Sequence, residues 1–183
     1  MMKQYREARE SLTEDTILLF RLGDFYELFE EDAERGAAIL GITLTKRHEM
    51  PMAGIPFHAA EGYLSKLLAQ GLKVAICEQL EAPRPGKLVK RGITRILTPG
   101  TVLEERQLEA GQNHFILALD LEKRGARAAW LDLSTGKFVL ASMEDASDLP
   151  AVIASISPRE YLIPESLKER ILAHKLQTSF ISE

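Results

Sequence analysis

Residues 16–29 read TILLFRLGDFYELF, and this stretch decides both the fold and the function that the sequence suggests. Its first half, residues 16–22, is an apolar run rich in β-branched and aromatic residues, which predicts a β-strand that continues through the second half. Because side chains alternate along a strand, Phe25, Glu27 and Phe29 would share one face. That face carries a carboxylate between two phenylalanines, a combination unsuited to a core.

The rest of the first hundred residues alternates between helical and strand-like patterns. The predicted helices cover 2–10, 32–41 and 58–71, and the predicted strands cover 42–47, 73–80 and 89–101. Two prolines and a glycine within residues 49–57 predict a loop with fixed corners, and residues 82–87 predict a turn. This alternation places the first part of the chain in the α/β class.

The pattern changes after residue 103. Residues 104–113 are polar and contain a glycine, which predicts a linker between a first domain at 1–103 and a second at 114–183. Three strand-like runs within 114–143, separated by EKRG and STGK, predict an antiparallel meander. A predicted helix over 149–156, a strand over 159–164 and a helix over 165–176 follow. With so few elements, we expect the sheet of the second domain to be incomplete.

The composition excludes several classes of protein. The chain carries 23 Lys and Arg residues against 27 Asp and Glu residues, a net charge of −4, so it is not a uniformly basic nucleic-acid binder. One basic run, which fits either a phosphate contact or a solvated strand, consists of Arg84, Lys87, Lys90, Arg91 and Arg95. The single cysteine, Cys77, lies in an apolar run typical of a core strand. Without a disulfide, a signal peptide or a run of ~20 apolar residues, we expect a cytoplasmic protein that does not enter membranes.

Two interpretations account for the carboxylate between the phenylalanines. In the first, residues 23–29 form an amphipathic edge strand with Glu27 in solvent. In the second, an exposed phenylalanine inserts between bases from the minor groove and kinks the duplex. Glu27 would then meet base edges that present mainly acceptors, which disfavours an intact pair, whereas a mispaired or bulged base can offer an N–H donor. A protonated Glu27 would also be tolerated there. The second interpretation makes Glu27 a discriminator against intact DNA.

A different class of function would use two aspartates of the second domain. Asp120 and Asp132 lie on neighbouring predicted strands, and paired carboxylates can hold Mg²⁺ for phosphodiester hydrolysis. This pattern leaves open a metal-dependent nuclease of the ribonuclease H type, although ordinary strand ends look the same. The sequence contains no Cys/His spacing typical of a metal site.

Several motifs occur together in one characteristic order. They are GDFYELF (23–29), LTKR (44–47), PMAGIPFHA (51–59), GYLSKLLAQG (62–71), VAICEQ (74–79) and RILTPGT (95–101). Together they closely resemble the N-terminal mismatch-recognition domain of the bacterial MutS family of DNA mismatch repair proteins. The segments HFILALDL (114–121) and AAWLDLSTGKF (128–138) resemble the start of the connector domain of that family. The resemblance implies a mixed-sheet domain followed by an incomplete connector domain with a ribonuclease H-like fold and no nuclease activity.

The resemblance also implies roles for individual residues. The Phe-X-Glu motif of the family falls on Phe25, Tyr26 and Glu27, which implies that Phe25 stacks on the mispaired base and that Glu27 hydrogen-bonds to it. The LTKR segment implies that Arg47 and Lys46 contact the DNA backbone. The loop after Arg47 is shorter than in many relatives, so backbone contacts made by that loop are not carried over.

Expectations for partners and cofactors follow from the same resemblance. It implies recognition of mismatches and small insertion or deletion loops in double-stranded DNA, within a homodimer associated with the bacterial nucleoid. The connector domain would pass the bound state to a downstream repair protein. No catalytic residue, metal or cofactor is expected in this chain, because the family binds ATP and Mg²⁺ in an ATPase domain that these motifs do not include. A protein-interaction module of a repair complex, in which DNA contact is incidental, stays open as an alternative.

Overall fold

The computed structural model describes residues 1–82, 86, 88–100, 113–168 and 181–182. The chain divides into two compact units, Met1–Thr98 and Pro99–Glu183. Each combines helices with a mixed sheet, which confirms the predicted α/β class. Among the described residues, no helix has both the length and the apolar character needed to cross a bilayer.

Several segments of the sequence predictions, including most of the turn predicted at 82–87, lie partly or mostly outside the described residues. The predicted linker at 104–113 lies outside the described residues except for Asn113. The predicted domain boundaries therefore stay a prediction. Arg84 and Lys87 of the basic run also lie outside the described residues.

The described residues of the first unit form one six-stranded sheet with three α-helices. Its helices are Met2–Glu10 (α1), Glu30–Leu40 (α2) and Ala60–Ala69 (α3), and its strands are Thr16–Leu22 (β1), Phe25–Phe29 (β2), Thr45–Arg47 (β3), Met50–Pro56 (β4), Lys73–Gln79 (β5) and Arg91–Leu97 (β6). The strand order is β3-β4-β2-β1-β5-β6. Only the β1–β5 pair of this sheet is parallel among the pairings described, and the others are antiparallel.

The stretch at 16–29 forms two strands and not the single one that the sequence predicted. A two-residue turn at Gly23 and Asp24 reverses the chain, so that Leu22 pairs with Phe25 and Phe20 with Glu27. Gly23 has φ of 58°, which a glycine adopts without the steric cost that a Cβ would bring. Because the chain turns at this point, Phe25 stands next to the tip of a hairpin.

The predicted loop at 49–57 is wrong, since residues Met50–Pro56 form strand β4, which lies between β2 and the edge strand β3. Two prolines within the segment argued against a strand, because proline cannot donate to a ladder. Pro51 pairs only with Lys46 of β3, and Pro56 pairs only with Phe25 of β2. Each proline therefore has a neighbouring strand on one side only, where its missing N–H need not interrupt a ladder.

The helices cover the two faces of this sheet unequally. On one face, Tyr5 of α1 packs against the buried residues Phe20 and Phe29, with ring centroids 5.7 and 5.0 Å away. On the opposite face, α2 and α3 lie against the strands and bury Leu28 and Ile55. We call the first of these the α1 face. Cys77 belongs to its core, as the sequence predicted, and burial raises the pKa of its thiol to about 11.

The described residues of the second unit form a five-stranded sheet with one α-helix. Its elements are Phe115–Leu121 (β7), Ala126–Asp132 (β8), Lys137–Met143 (β9), Leu149–Ile156 (α4), Glu160–Leu162 (β10) and Ile181–Ser182 (β11). The strand order is β11-β10-β7-β8-β9. Strands β7, β8 and β9 form the predicted antiparallel meander, and β10 joins β7 in parallel. Of the helix predicted over 165–176, the described residues include a short 3₁₀ turn at Glu165–Leu167.

Candidate nucleic-acid interface

Phe25 is an exposed aromatic residue at the tip of the β1–β2 hairpin. It is 45% exposed, whereas Phe29 on the same strand is completely buried beneath α1. The register places both on the α1 face, since Phe25 pairs with Leu22 and Pro56 while Phe29 pairs with Met52. The face is therefore core at the Phe29 end, and at the other end it presents an aromatic ring to solvent.

Glu27 lies between these two phenylalanines, and its environment favours the neutral carboxyl. Its Oε2 atom is buried and has no hydrogen-bond partner among the described residues. Burial raises the pKa of Glu27, and the positive charge of Arg47 opposes that rise only in part. A protonated carboxyl can donate a hydrogen bond that a carboxylate cannot. Glu27 is thus an unsatisfied group suited to bind a ligand as donor or acceptor.

The structure separates the two basic residues that the sequence grouped together. Strand β3 is the edge of the sheet, and its three residues are all exposed. Arg47 pairs with Met50 of β4, which belongs to the α1 face with Phe25 and Glu27. Lys46 points to the other face by strand alternation, and its Nζ lies 3.4 Å from Glu49. Of the two, Arg47 shares the face of the candidate site.

A cluster behind the hairpin tip supports the turn that leads to Phe25, and no sequence motif predicted it. The guanidinium of Arg21 lies 3.4 Å from the ring centroid of Phe57 and 3.9 Å from a carboxylate oxygen of Glu78. The Nε of Arg21 also donates to the carbonyl of Gly23, and the Phe57 N–H donates to the Asp24 carbonyl at 3.0 Å. These contacts fix the turn that precedes Phe25, and they join residues too far apart in the sequence for a local pattern to reveal.

The described part of the basic run is centred on the last strand of the sheet. Strand β6 is at the opposite edge of the sheet from β3. Arg91 is committed to the protein, because its Nε donates to the Arg21 carbonyl at 2.7 Å and its guanidinium lies 5.4 Å from the Phe20 ring. Arg95 is exposed on β6. Arg91 therefore reaches the α1 face beside Phe20, the residue opposite Glu27, but its guanidinium is engaged by contacts within the protein.

The pair of aspartates considered for a nuclease is not brought together. Asp120 is opposite Arg127, whereas Asp132 is opposite Phe115, five positions away along the β7–β8 ladder. At ~3.4 Å per residue this separation is ~17 Å, too far for a shared metal ion. The sequence interpretation was wrong because antiparallel strands place their carboxyl ends at opposite ends of the sheet. No cluster of three or more potential metal ligands occurs in the described ranges.

Asp132 instead organises the turn between β8 and β9. Its carboxylate accepts hydrogen bonds from the backbone N–H groups of His114 and Ser134 and from the hydroxyls of Ser134 and Thr135. Although burial by itself would raise the pKa of Asp132, these hydrogen bonds lower it to about 2. This arrangement is structural and leaves few lone pairs for a ligand.

Comparison with known proteins agrees with the motifs. The family model described as MutS domain I matches residues 1–106, and that of MutS domain II matches residues 114–182. The chain is 42% identical to the DNA mismatch repair protein MutS of Myxococcus xanthus over 193 aligned positions and 41% identical to that of Staphylococcus saprophyticus over 189. Both alignments cover all of this chain but only 22% and 21% of the relatives, so the chain spans about a fifth of their length. The domain I model, which covers more than half of the residues, shows that the chain belongs to the MutS family.

Proposed function

We propose that domain I recognises mispaired bases and small insertion or deletion loops in double-stranded DNA, with Phe25 stacking on the mispaired base and Glu27 hydrogen-bonding to it. One observation carries the proposal. An exposed aromatic ring at a hairpin tip lies two residues from a carboxyl whose buried oxygen has no partner among the described residues, and both are on one face.

The position of Phe25 suits a wedge between base pairs. Apolar side chains inserted at a base step unstack it and kink the duplex, at a cost of a few kcal/mol that depends on how easily the step opens. A mismatched step is already weakened, so insertion there costs less. Stacking of a base on an aromatic side chain contributes ~1–3 kcal/mol. The contacts of Arg21 with the Gly23 carbonyl and Phe57 keep the hairpin tip rigid, which reduces the entropy lost on binding.

The environment of Glu27 suits discrimination. The minor-groove edges of intact base pairs present mainly acceptors, which an ionised carboxylate cannot satisfy. A mispaired base exposes ring atoms that an intact pair occupies, including N–H donors that a carboxylate can accept from and acceptors to which a protonated Glu27 can donate. Burial raises the pKa of Glu27, and nearby phosphates would raise it further. Arg47 lies on the same face and would contact the DNA backbone, and Lys46 at the sheet edge would add a weaker, less directed attraction.

Several expectations for the complete protein join this proposal. The protein would act as a homodimer in the bacterial cytoplasm, associated with the nucleoid, and no catalytic step would take place in domains I and II. ATP and Mg²⁺ would bind outside these two domains. Domain II would connect DNA binding to a downstream repair protein, and large apolar side chains exposed on β9, Phe138 at 61% and Leu140 at 73%, support a contact role for that domain.

Fluorescence of 2-aminopurine tests the wedge. The base analogue is placed next to a G·T mismatch in one duplex and at the same position of a fully paired duplex, and each is saturated with the complete gene product. We expect an increase in emission only with the mismatch, because insertion of Phe25 unstacks the neighbouring base. The Phe25→Ala protein should bind at saturating concentration without this increase. An equal increase with Phe25→Ala would overturn the proposal.

A further inference from the structure

Gly54 occupies an unusual position in β4. It lies directly opposite Glu27 in the β2–β4 ladder, and it is exposed on the face that carries Phe25 and Glu27. Its neighbours on that face of the strand, Met52 and Pro56, both have side chains. A glycine inside a strand loses more conformational entropy on folding than other residues and contributes no packing.

The usual structural reasons for a glycine within a strand do not apply at Gly54. The β2–β4 register runs without a shift from Phe25 opposite Pro56 to Phe29 opposite Met52, so the strand contains no bulge there. The φ angle of Gly54 is not in the left-handed region. A Cβ built at this position would have its nearest neighbours at 3.6–3.8 Å, which is ordinary van der Waals contact. Since the protein itself would accept a side chain here, the remaining reason is the close approach of another molecule.

The atoms around the missing Cβ belong to the two residues of the proposed site. The Cβ would lie 3.7 Å from Cγ of Glu27 and 3.8 Å from Cδ1 of Phe25. Phe25 and Glu27 are two residues apart on one strand, ~7 Å, which leaves space for about one aromatic layer at ~3.5–4 Å from the Phe25 ring. A methyl group on Gly54 would occupy part of that space and touch both side chains.

We propose that Gly54 determines specificity for mispaired DNA, because its bare backbone forms the floor on which a displaced nucleotide lies between Phe25 and Glu27. This inference rests on the proposed function. The contacts to Phe25 and Glu27 form only at a mispaired base, whereas attraction between phosphates and Arg47 does not depend on pairing. A side chain at position 54 therefore weakens binding to mismatched DNA selectively.

Fluorescence anisotropy with a G·T duplex and a fully paired duplex of the same length tests the inference in the complete gene product. The variants are Gly54→Ala, Gly54→Val, Phe25→Ala and the Phe25→Ala/Gly54→Ala double variant. Gly62→Ala is the matched control, because it also adds a methyl group to domain I but in open space on α3. Urea unfolding of each protein separates binding from stability.

We expect Gly54→Ala to weaken mismatch binding at least ~5-fold, toward the ~5- to 150-fold that the loss of one base–aromatic stack represents. Gly54→Val should weaken it further although valine favours strands, and neither variant should lower the unfolding midpoint. The affinity of both Gly54 variants for paired DNA should equal that of the wild type. The Gly62→Ala protein should bind both duplexes with wild-type affinity. In the Phe25→Ala background, Gly54→Ala should have little further effect, because both act on one contact.

Two results would overturn the inference. One is a Gly54→Ala protein that keeps wild-type mismatch affinity while Phe25→Ala loses it. The other is an equal loss for both duplexes, which would make Gly54 a structural residue. Retention of mismatch preference by Phe25→Ala would instead refute the proposed function itself, so the two failures are distinguishable.

Discussion

Replacement of Glu27 by glutamine tests the electrostatic part of the site most sharply. The raised pKa of Glu27 comes first from burial, and Arg47 is the charge that opposes it. Bringing the carboxyl next to phosphates and base edges adds a further penalty for its ionised form, so the DNA complex holds the proton more tightly than the free protein. Binding to mismatched DNA should therefore take up a proton at Glu27 and weaken as the pH rises through the pKa of the complex.

The magnitude of this effect is set by one carboxyl. Uptake of one proton changes the dissociation constant by at most tenfold per pH unit, which is about 1.4 kcal/mol. In Glu27→Gln the side chain is always neutral, so this slope should disappear. Paired DNA should bind the variant more tightly, by about twofold for each phosphate within ~10 Å, since one such repulsion costs about 0.4 kcal/mol in a water-like dielectric. The ratio of the affinity for mismatched DNA to the affinity for paired DNA should therefore be smaller in Glu27→Gln than in the wild type.

The sign of the effect can also be checked without DNA. The pKa of Glu27 is higher in the folded state than in the unfolded state. The protonated side chain therefore contributes stability that is fully present below the unfolded-state pKa and is lost as the pH rises through the folded-state pKa. The Glu27→Gln protein should therefore be more stable than the wild type above the folded-state pKa of Glu27. Below the unfolded-state pKa this difference in stability should disappear. In an Arg47→Met protein the loss of stability linked to Glu27 should occur at higher pH than in the wild type, because the positive charge that lowers the pKa of Glu27 is removed.

The assay is anisotropy with both duplexes over a pH series at constant ionic strength, together with urea unfolding over the same series. Glu34→Gln, an exposed acid on α2, is the control with the same change of charge. Identical pH slopes for wild type and Glu27→Gln, together with unchanged affinities for both duplexes, would refute the proton-linked role of Glu27.

Three further predictions concern stability and metal binding. Phe29→Ala should lower the free energy of unfolding by ~3–5 kcal/mol in urea titrations, because Phe29 is fully buried against Tyr5; a cost below about 1 kcal/mol would contradict its core position. Asp132→Asn should destabilise the protein at neutral pH, and the difference from wild type should vanish as the pH falls from about 4 to about 2, because the folded pKa of Asp132 is lowered. Addition of Mg²⁺ should not raise the melting temperature of residues 1–183, and a rise that Asp120→Asn removes would restore the nuclease alternative.

The elements of the fold that depend on local pattern could be predicted from the sequence. The apolar runs that became β1 and β5 and the helical spacing that became α2 and α3 are properties of contiguous residues. The same holds for the shared face of Phe25, Glu27 and Phe29, which follows from the period of a strand. These predictions succeeded because local propensity and tertiary structure agree at those positions.

One failure was local, because the turn at Gly23 and Asp24 divides the predicted strand over 16–29 into two, and the others involve residues that act through distant neighbours. Strand β4 contains two prolines, and only the positions of β2 and β3 make them acceptable. Asp120 and Asp132 are close in sequence, but the antiparallel ladder places them at opposite ends. In the candidate site, Phe25 and Glu27 could be selected from a seven-residue motif, whereas the contacts of Arg21 with Phe57 and Glu78 require the folded chain.

The most direct test of mismatch recognition is the ratio of two dissociation constants. Anisotropy of the complete gene product, at one fixed salt concentration, would give its affinity for a G·T duplex and for the fully paired duplex. Phe25→Ala is compared with Phe138→Ala, a second exposed phenylalanine that lies on β9 of domain II. We predict tighter binding to the mismatch by wild type and Phe138→Ala, with a ratio near one in Phe25→Ala, a loss of ~5- to 150-fold on the mismatched duplex. Equal affinity of the wild type for both duplexes, or an unchanged ratio in Phe25→Ala, would contradict recognition through Phe25.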